Sequence, residues 1–117
     1  MIYDVRLTAQ TREAIYAQAR YIAEDCGAPR NAAKWLDRIM EAIESLEKFP
    51  RRCALAAEND HRPYEIRKIN VGGYLVLFTV DDDARTVTMI GFRHGRQRES
   101  PDALPDHAPK TTPATDS

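Results

Sequence analysis

The chain has 117 residues, a length that fits one domain, and 43% of them are hydrophobic and 30% are charged, as is ordinary for a globular protein. No stretch approaches the roughly 18 apolar residues that a membrane-spanning helix needs, so no membrane association is expected. The net charge of −1 is far from the strongly basic balance of a general nucleic-acid-binding domain. Residues 1–7 lack the pattern of a signal peptide, and we expect a cytoplasmic protein.

The first two predicted elements are a strand and a helix. Apolar and polar side chains alternate over residues 2–7, the period of a half-buried strand. Thr8 is a suitable N-cap, and a helix is predicted from there to about Cys26, ended by Gly27 as a C′ residue. Its apolar stripe consists of Ile15, Ala19, Ile22 and Cys26.

A second helix is predicted to begin at Pro29, which is tolerated in a first turn, and to stop before Pro50. Its apolar positions recur at steps of three and four, which is typical of one buried helix face. They are Leu36, Ile39, Ile43 and Leu46. The short link between the helices favours an antiparallel hairpin whose apolar face needs a sheet to cover it.

Three strands are predicted after a connector over residues 51–63. Residues 65–71 are β-rich but charged, residues 74–80 are apolar almost throughout, and residues 86–92 return after the turn at 81–83. The apolar strand has the pattern of a central strand that is covered on both faces. The order is therefore β-α-α-β-β-β, an α+β fold with a helical hairpin packed on a small, mainly antiparallel sheet.

We expect the folded domain to cover residues 1–98. Residues 99–117 are expected to form a disordered tail, since the stretch from Gln97 onward has four of the seven prolines and no aromatic residue.

Neither a metal site nor a cofactor is expected. Cys26 and Cys53 belong to no C-x-x-C pair, and two reduced thiols are the favoured interpretation. Cys26 lies on the apolar stripe of the first helix, where it should pack as a small hydrophobic side chain. The three aspartates at 81–83 are more typical of a turn than of a calcium loop.

Basic residues are unevenly distributed along the chain. Residues 50–98 contain nine Lys and Arg against six Asp and Glu, and three of those acids are confined to the turn at 81–83. The second half is thus predicted to carry a basic surface, although a solvated surface of mixed charge explains the same composition.

The segments EIRKINVGGYLVLF (65–78) and FRHGRQ (92–97), in this order and after a second helix that ends in Leu46, Phe49 and Pro50, resemble the ParE/RelE toxin superfamily. The resemblance covers roughly residues 1–98. It implies the toxin of a type II toxin–antitoxin module, of the kind associated with plasmid stabilization, in a hetero-oligomer with a cognate antitoxin protein. ParE-like members inhibit DNA gyrase, and RelE-like members are endoribonucleases that cut mRNA on the ribosome.

Two departures from the ribonuclease pattern favour the ParE branch. RelE-like ribonucleases typically have an arginine directly after the aromatic residue of the central strand, whereas Leu75 follows Tyr74 here. They also typically have an aromatic residue near the C-terminus, and none follows Phe92. We therefore expect a gyrase inhibitor, with the ribosome-dependent mRNA endoribonuclease as the alternative.

The candidate site residues follow from the same segments. No catalytic residue is assigned for a gyrase inhibitor; a ribonuclease would use Arg67, His94 and Arg96, with His94 as general acid. Surface ion pairs and an ordinary surface histidine explain the same residues without a function. Target binding is predicted for Arg67, Lys68, Arg93, His94 and Arg96.

Antitoxin binding is predicted for Trp35, Tyr74 and Phe92. Trp is favoured at interface hot spots, but Trp35 precedes Leu36 of the second helix, and packing at the edge of the core is the favoured role for it. The sheet edges and the groove beside the helical hairpin would accept an added strand or a helix.

Overall fold

The computed structural model describes residues 2–95 and 104–105. The elements follow the predicted order: β1 (Asp4–Leu7), α1 (Ala9–Arg20), α2 (Pro29–Glu44), β2 (Arg67–Val71), β3 (Tyr74–Asp81) and β4 (Thr86–His94). One π-helical turn, Tyr21–Asp25, extends α1. Short 3-10 turns lie at Ser45–Glu47, Pro50–Arg52 and Ala57–His61.

The four strands form one sheet in the order β1-β4-β3-β2. β1 is parallel to β4, and the other two pairings are antiparallel, so the prediction of a mainly antiparallel sheet is confirmed. A register irregularity between Leu77 and Phe78 interrupts the β3–β4 ladder. Residues 54–56 add a short bridge beside the start of β2, with the amide of Lys68 donating to the carbonyl of Ala54 at 3.0 Å.

The sheet has an apolar core on each face. The helix-side core contains eight buried residues: Ile15, Ile39, Ile43, Leu46, Val76, Phe78, Val87 and Met89. The opposite side, called the outer face from here on, has a smaller cluster: Ala56, Ile66, Leu75, Leu77, Ile90 and Leu104. Successive residues of β3 alternate between the two cores, as the period of a strand requires, and the prediction of a central strand covered on both sides is confirmed.

The helix ends follow local chemistry. The Thr8 hydroxyl accepts a hydrogen bond from the amide of Thr11 at 3.2 Å, which satisfies one of the free donors of α1. Gly27 has a φ of +62°, a left-handed conformation that glycine adopts without strain. Pro29 occupies the first turn of α2, as predicted.

The prediction for Cys26 was wrong. The last turn before it is π-helical, with the amide of Cys26 donating to the carbonyl of Tyr21 at 3.1 Å. The wider turn shifts the helical phase by one residue, so Cys26 leaves the apolar stripe and is exposed. Both cysteines are free thiols, and burial raises the pKa of Cys53.

The expected tail, residues 99–117, lies outside the described residues except for Leu104 and Pro105. Leu104 is buried in the outer-face cluster. Among the helices of the described ranges, none has the length and apolar character required to cross a membrane.

Candidate target and antitoxin interface

Arg67 holds the connector against the start of β2. Its Nη1 donates to the backbone carbonyls of Arg51 and Cys53, and its Nε donates to Glu65 Oε1 at 2.8 Å. The side chain is only 17% exposed. The guanidinium is therefore engaged by the protein itself.

Arg93 is likewise engaged, on the outer face. Its Nε donates to Glu58 Oε2 at 2.8 Å and its Nη2 donates to Oε1 at 3.3 Å, a two-point ion pair. The side chain of Glu58 is 1% exposed and that of Arg93 is 14% exposed, so water hardly screens the pair. Glu58 was not singled out in the sequence, where it looked like part of a polar connector.

Lys68 points to the face opposite Arg67, as expected for neighbours on a strand. Within the described residues it makes no ion pair, in contrast to the three arginines at positions 51, 67 and 93. Arg96 lies outside the described residues. The basic surface predicted from composition is thus reduced, because several of its guanidinium groups are neutralised within the fold.

His94 ends β4 beside an aromatic cluster. The rings of Tyr74 and Phe92 are stacked with centroids 5.5 Å apart, and the His94 ring meets Tyr74 edge-on at 5.0 Å. Trp35 meets both stacked rings edge-on, at 5.3 and 5.9 Å. The structure therefore brings together the three residues predicted to bind antitoxin, and it adds His94 to them.

An open hollow of about 300 Å³ lies beside this cluster, lined by residues of α1, β3 and β4. Gln18 reaches across it, and its Nε2 donates to the Tyr74 hydroxyl at 3.0 Å. The Nε1 of Trp35 is buried and has no hydrogen-bond partner among the described residues. Trp35 thus packs against the helix-side core, the role favoured from the sequence.

Arg67 and His94, the two ribonuclease candidates that the structure describes, are far apart. Arg67 pairs with Phe78 in the sheet, and His94 pairs with Tyr74. Four residues of β3 separate these positions, which at roughly 3.3 Å per residue is about 13 Å along the strand. A proton donor and a phosphate-binding group that act on one phosphate need to lie within hydrogen-bond reach of it.

A second surface lies between the two helices, beside the helical hairpin where a partner groove was expected. Of its lining residues, only Ala19 and Leu36 were named from the sequence, as positions of the apolar stripes. It is a shallow apolar groove of about 290 Å³, called the hairpin groove here. It is lined by Tyr16, Ala19, Arg20, Ala23, Ala32, Ala33 and Leu36. The sequence does contain a signal for this groove, because alanines recur on the side of each helix that lines it. Such small side chains let a partner helix approach closely.

A sequence model of the family described as ParE toxin of type II toxin–antitoxin system, parDE, matches residues 5–99. This match spans all four strands and both helices. The chain belongs to the ParE toxin family.

Solved structures agree with this ParE fold. The chromosomal ParDE toxin–antitoxin system from P. aeruginosa matches with a TM-score of 0.62 and 14% identity, covering 80% of this chain and 96% of that one. The toxin–antitoxin complex RelBE2 from Mycobacterium tuberculosis matches with a TM-score of 0.56 and 22% identity, covering 80% and 92%. At such identities the likeness shows the fold. A search of curated proteins finds no match.

The protein is accordingly a toxin of a type II toxin–antitoxin system in the ParE/RelE superfamily. Five basic residues were predicted for this ParE-family toxin to contact its target. Arg67 and Arg93 form internal contacts, Lys68 lies in the edge strand, and His94 lies beside the aromatic cluster. The fifth, Arg96, lies outside the described residues.

Proposed function

We propose that this ParE-family toxin inhibits DNA gyrase by binding it, and that it does not cleave RNA. The observation that carries the proposal is the separation of Arg67 from His94 by about 13 Å along β3. A ribonuclease would need His94 within about 3 Å of the leaving oxygen and Arg67 on the same phosphate, whereas the Arg67 guanidinium is bound to two backbone carbonyls and to Glu65.

Residues that bind a large protein do not need to lie within hydrogen-bond reach of the same atom or phosphate. A protein–protein interface buries about 800 Å² on each partner, a patch wide enough to include residues on different strands. Lys68, His94 and Arg96 are the proposed contact residues, whereas Arg67 and Arg93 hold the strands that present them. The toxin acts in the cytoplasm in this role.

The test is a supercoiling assay with purified gyrase, relaxed plasmid and purified toxin, with and without ATP. The expected result is loss of supercoiling with accumulation of cleaved plasmid. Lys68→Glu should weaken inhibition, and Lys48→Glu, the same charge change at an exposed position outside the sheet, should not. Unimpaired gyrase together with transcript cleavage in a translation reaction would reject the proposal in favour of a ribosome-dependent ribonuclease.

A cognate antitoxin is the second proposed partner, and we place it in the hairpin groove. Both solved relatives are described as toxin–antitoxin systems or complexes. The alanines of the groove allow the backbone of a partner helix to approach closely, and Tyr16, an exposed aromatic residue at its rim, supplies apolar area for an anchor contact.

Two arginine substitutions test this placement. Ala33→Arg fills the hairpin groove from an exposed helix position, and Ala17→Arg changes an exposed position of α1 outside the groove. The product of the neighbouring open reading frame should co-purify with the Ala17→Arg protein and fail to co-purify with the Ala33→Arg protein. Equal recovery with both variants would place the antitoxin elsewhere.

A further inference from the structure

The outer face of the sheet contains an apolar socket that a distant part of the same chain fills. Leu104 is 7% exposed and packs with Ile66, Leu75, Leu77 and Ile90. No α-helix covers this face in the described ranges, and the connector with its 3-10 turn at Ala57–His61 lies over one part of it. Leu104 lies far beyond the last strand, in a stretch whose proline-rich sequence predicts no regular structure.

Gly91 forms the floor of the socket. A Cβ atom at this position would lie 2.8 Å from Leu104 Cδ2, which is closer than real carbon atoms approach, and 3.3 Å from Leu77 Cδ1. A methyl group of Leu104 thus packs directly against the backbone of β4 at Gly91. The missing side chain of Gly91 gives the socket its depth.

Two polar groups hold the backbone that follows Leu104. The Tyr64 hydroxyl donates to the carbonyl of Pro105 at 2.6 Å, and Arg62 Nε donates to the same oxygen at 3.2 Å. Arg62 Nη2 also lies 3.5 Å from the carbonyl of Leu104. The protein therefore recognises the segment by one apolar side chain and by its backbone carbonyl oxygens.

We propose that the outer face is a peptide-binding site for a Leu-Pro segment, and that residues 104–105 of this chain occupy it within the same molecule. Leu104 supplies the apolar anchor, and the Pro105 carbonyl accepts the two hydrogen bonds. Occupation by its own segment fills this socket, so another peptide binds there only when residues 104–105 leave it. This inference does not depend on gyrase being the target.

The first test uses the unmodified full-length protein, at a concentration where sedimentation shows a monomer. Methyl NOESY spectra should show contacts from the Leu104 methyl groups to those of Leu77 and to the α-protons of Gly91. Absence of these contacts would overturn the proposal, as would contacts that appear only when the protein dimerises.

The second test supplies the segment as a separate molecule. A fluorescent peptide with the sequence of residues 99–110 is titrated into full-length Leu104→Ser protein, with Leu55→Ser, the same change at an exposed leucine, as control. A tethered segment competes at an effective concentration near 1 mM, so a peptide with a Kd of about 0.1 mM should bind Leu104→Ser about tenfold more tightly than the wild type or the control.

The specificity control is the same peptide with serine in place of its leucine, which should lose binding to the Leu104→Ser protein. Equal affinity of the leucine peptide for wild type and Leu104→Ser would overturn the proposal. If Leu104→Ser does not fold, the NOESY contacts of the wild-type protein test the proposal, and their absence would overturn it.

Discussion

Glu58 and Arg93 are 35 positions apart in the chain, yet the carboxylate of one lies 2.8 Å from Nε of the other beneath the outer face. The pair joins the connector after the helical hairpin to the end of β4. Because the Glu58 side chain is 1% exposed and that of Arg93 is 14% exposed, water screens the attraction between the two charges only weakly. Arg93 therefore stabilises the fold, and its place in the family-like R-H-G-R segment does not by itself make it a contact residue.

Loss of one member of this pair should be severely destabilising. Glu58→Ala removes the buried carboxylate that pairs with the Arg93 guanidinium, and we expect the free energy of unfolding to fall by about 3 to 5 kcal/mol. The free energy of unfolding is measured by urea titration, with Trp35 fluorescence as the signal. The double variant with Arg93→Ala should lose much less than the sum of the single changes. The partly exposed pair Arg6–Asp4 is the control, and Asp4→Ala should change stability by under about 1 kcal/mol.

The helices and strands were predictable because burial on one face imposes a period on the sequence. The stripe from Ile39 to Leu46 and the continuous apolar run of β3 led directly to the observed elements. Cys26 was misplaced because periodicity assumes a regular α-helix, and a single π-helical turn changes the phase. The fold could thus be predicted from the sequence wherever the helices and strands have regular geometry.

The charged residues were not predictable in the same way. Which carboxylate meets Arg93 is decided by tertiary placement of a connector, and no local pattern marks Glu58 as buried. Leu104 was missed for a related reason, since a lone leucine among prolines and polar residues gives no periodic signal. Tyr74 and Phe92 were selected as antitoxin-binding residues from the family-like segments, and no physical pattern predicted that their rings stack.

The substitution Phe49→Gly should not destabilise the protein, unlike the replacement of most aromatic residues by glycine. It has a φ of +51°, a left-handed conformation that costs an L-residue about 1 to 2 kcal/mol, and its side chain is 78% exposed. Glycine relieves this strain but adds about 0.5 to 1 kcal/mol of unfolded-state entropy. We expect the stability of Phe49→Gly to equal or exceed that of the wild type by up to about 1 kcal/mol in thermal unfolding. A clear loss would show that the Phe49 ring packs in solution.

The turn at residues 81–83 should contribute to acid stability through Asp82. The Tyr3 hydroxyl donates to Asp82 Oδ1 at 2.7 Å and Arg51 Nη2 donates to Oδ2 at 2.8 Å, and these bonds lower the pKa of Asp82 below its ordinary 3.8. A carboxyl whose pKa is lowered in the folded state adds stability above pH 3.8, and this contribution is lost as the pH falls below that value. The group is exposed, so the effect is small.

Asp82→Asn should therefore be less stable than the wild type at pH 6, and the difference should shrink as the pH falls from 4 to 2.5. Asp83→Asn is the matched control, because Asp83 makes no hydrogen bond to a described residue. The same contact raises the pKa of Tyr3 above 10.0, so its contribution is present below pH 10 and is lost as the pH rises beyond it. A difference between wild type and Asp82→Asn that is constant from pH 6 to pH 2.5 would contradict this assignment.

His94 separates the two activities of the superfamily. In a gyrase inhibitor it is one contact among many, so His94→Ala should reduce gyrase inhibition by less than about tenfold, which corresponds to ~1.4 kcal/mol. In a ribonuclease it would be the general acid, and its removal would lower the cleavage rate by about 100-fold to 10,000-fold. His94→Gln keeps a polar side chain but cannot supply a proton near neutral pH.

Growth inhibition by graded expression measures the toxicity of both His94 variants, with toxin levels matched by immunoblot. Because the ring of His94 packs edge-on against Tyr74, circular dichroism must first show that each variant remains folded. Toxicity that survives in both variants supports binding, whereas a loss of 100-fold or more in both would favour proton transfer by His94.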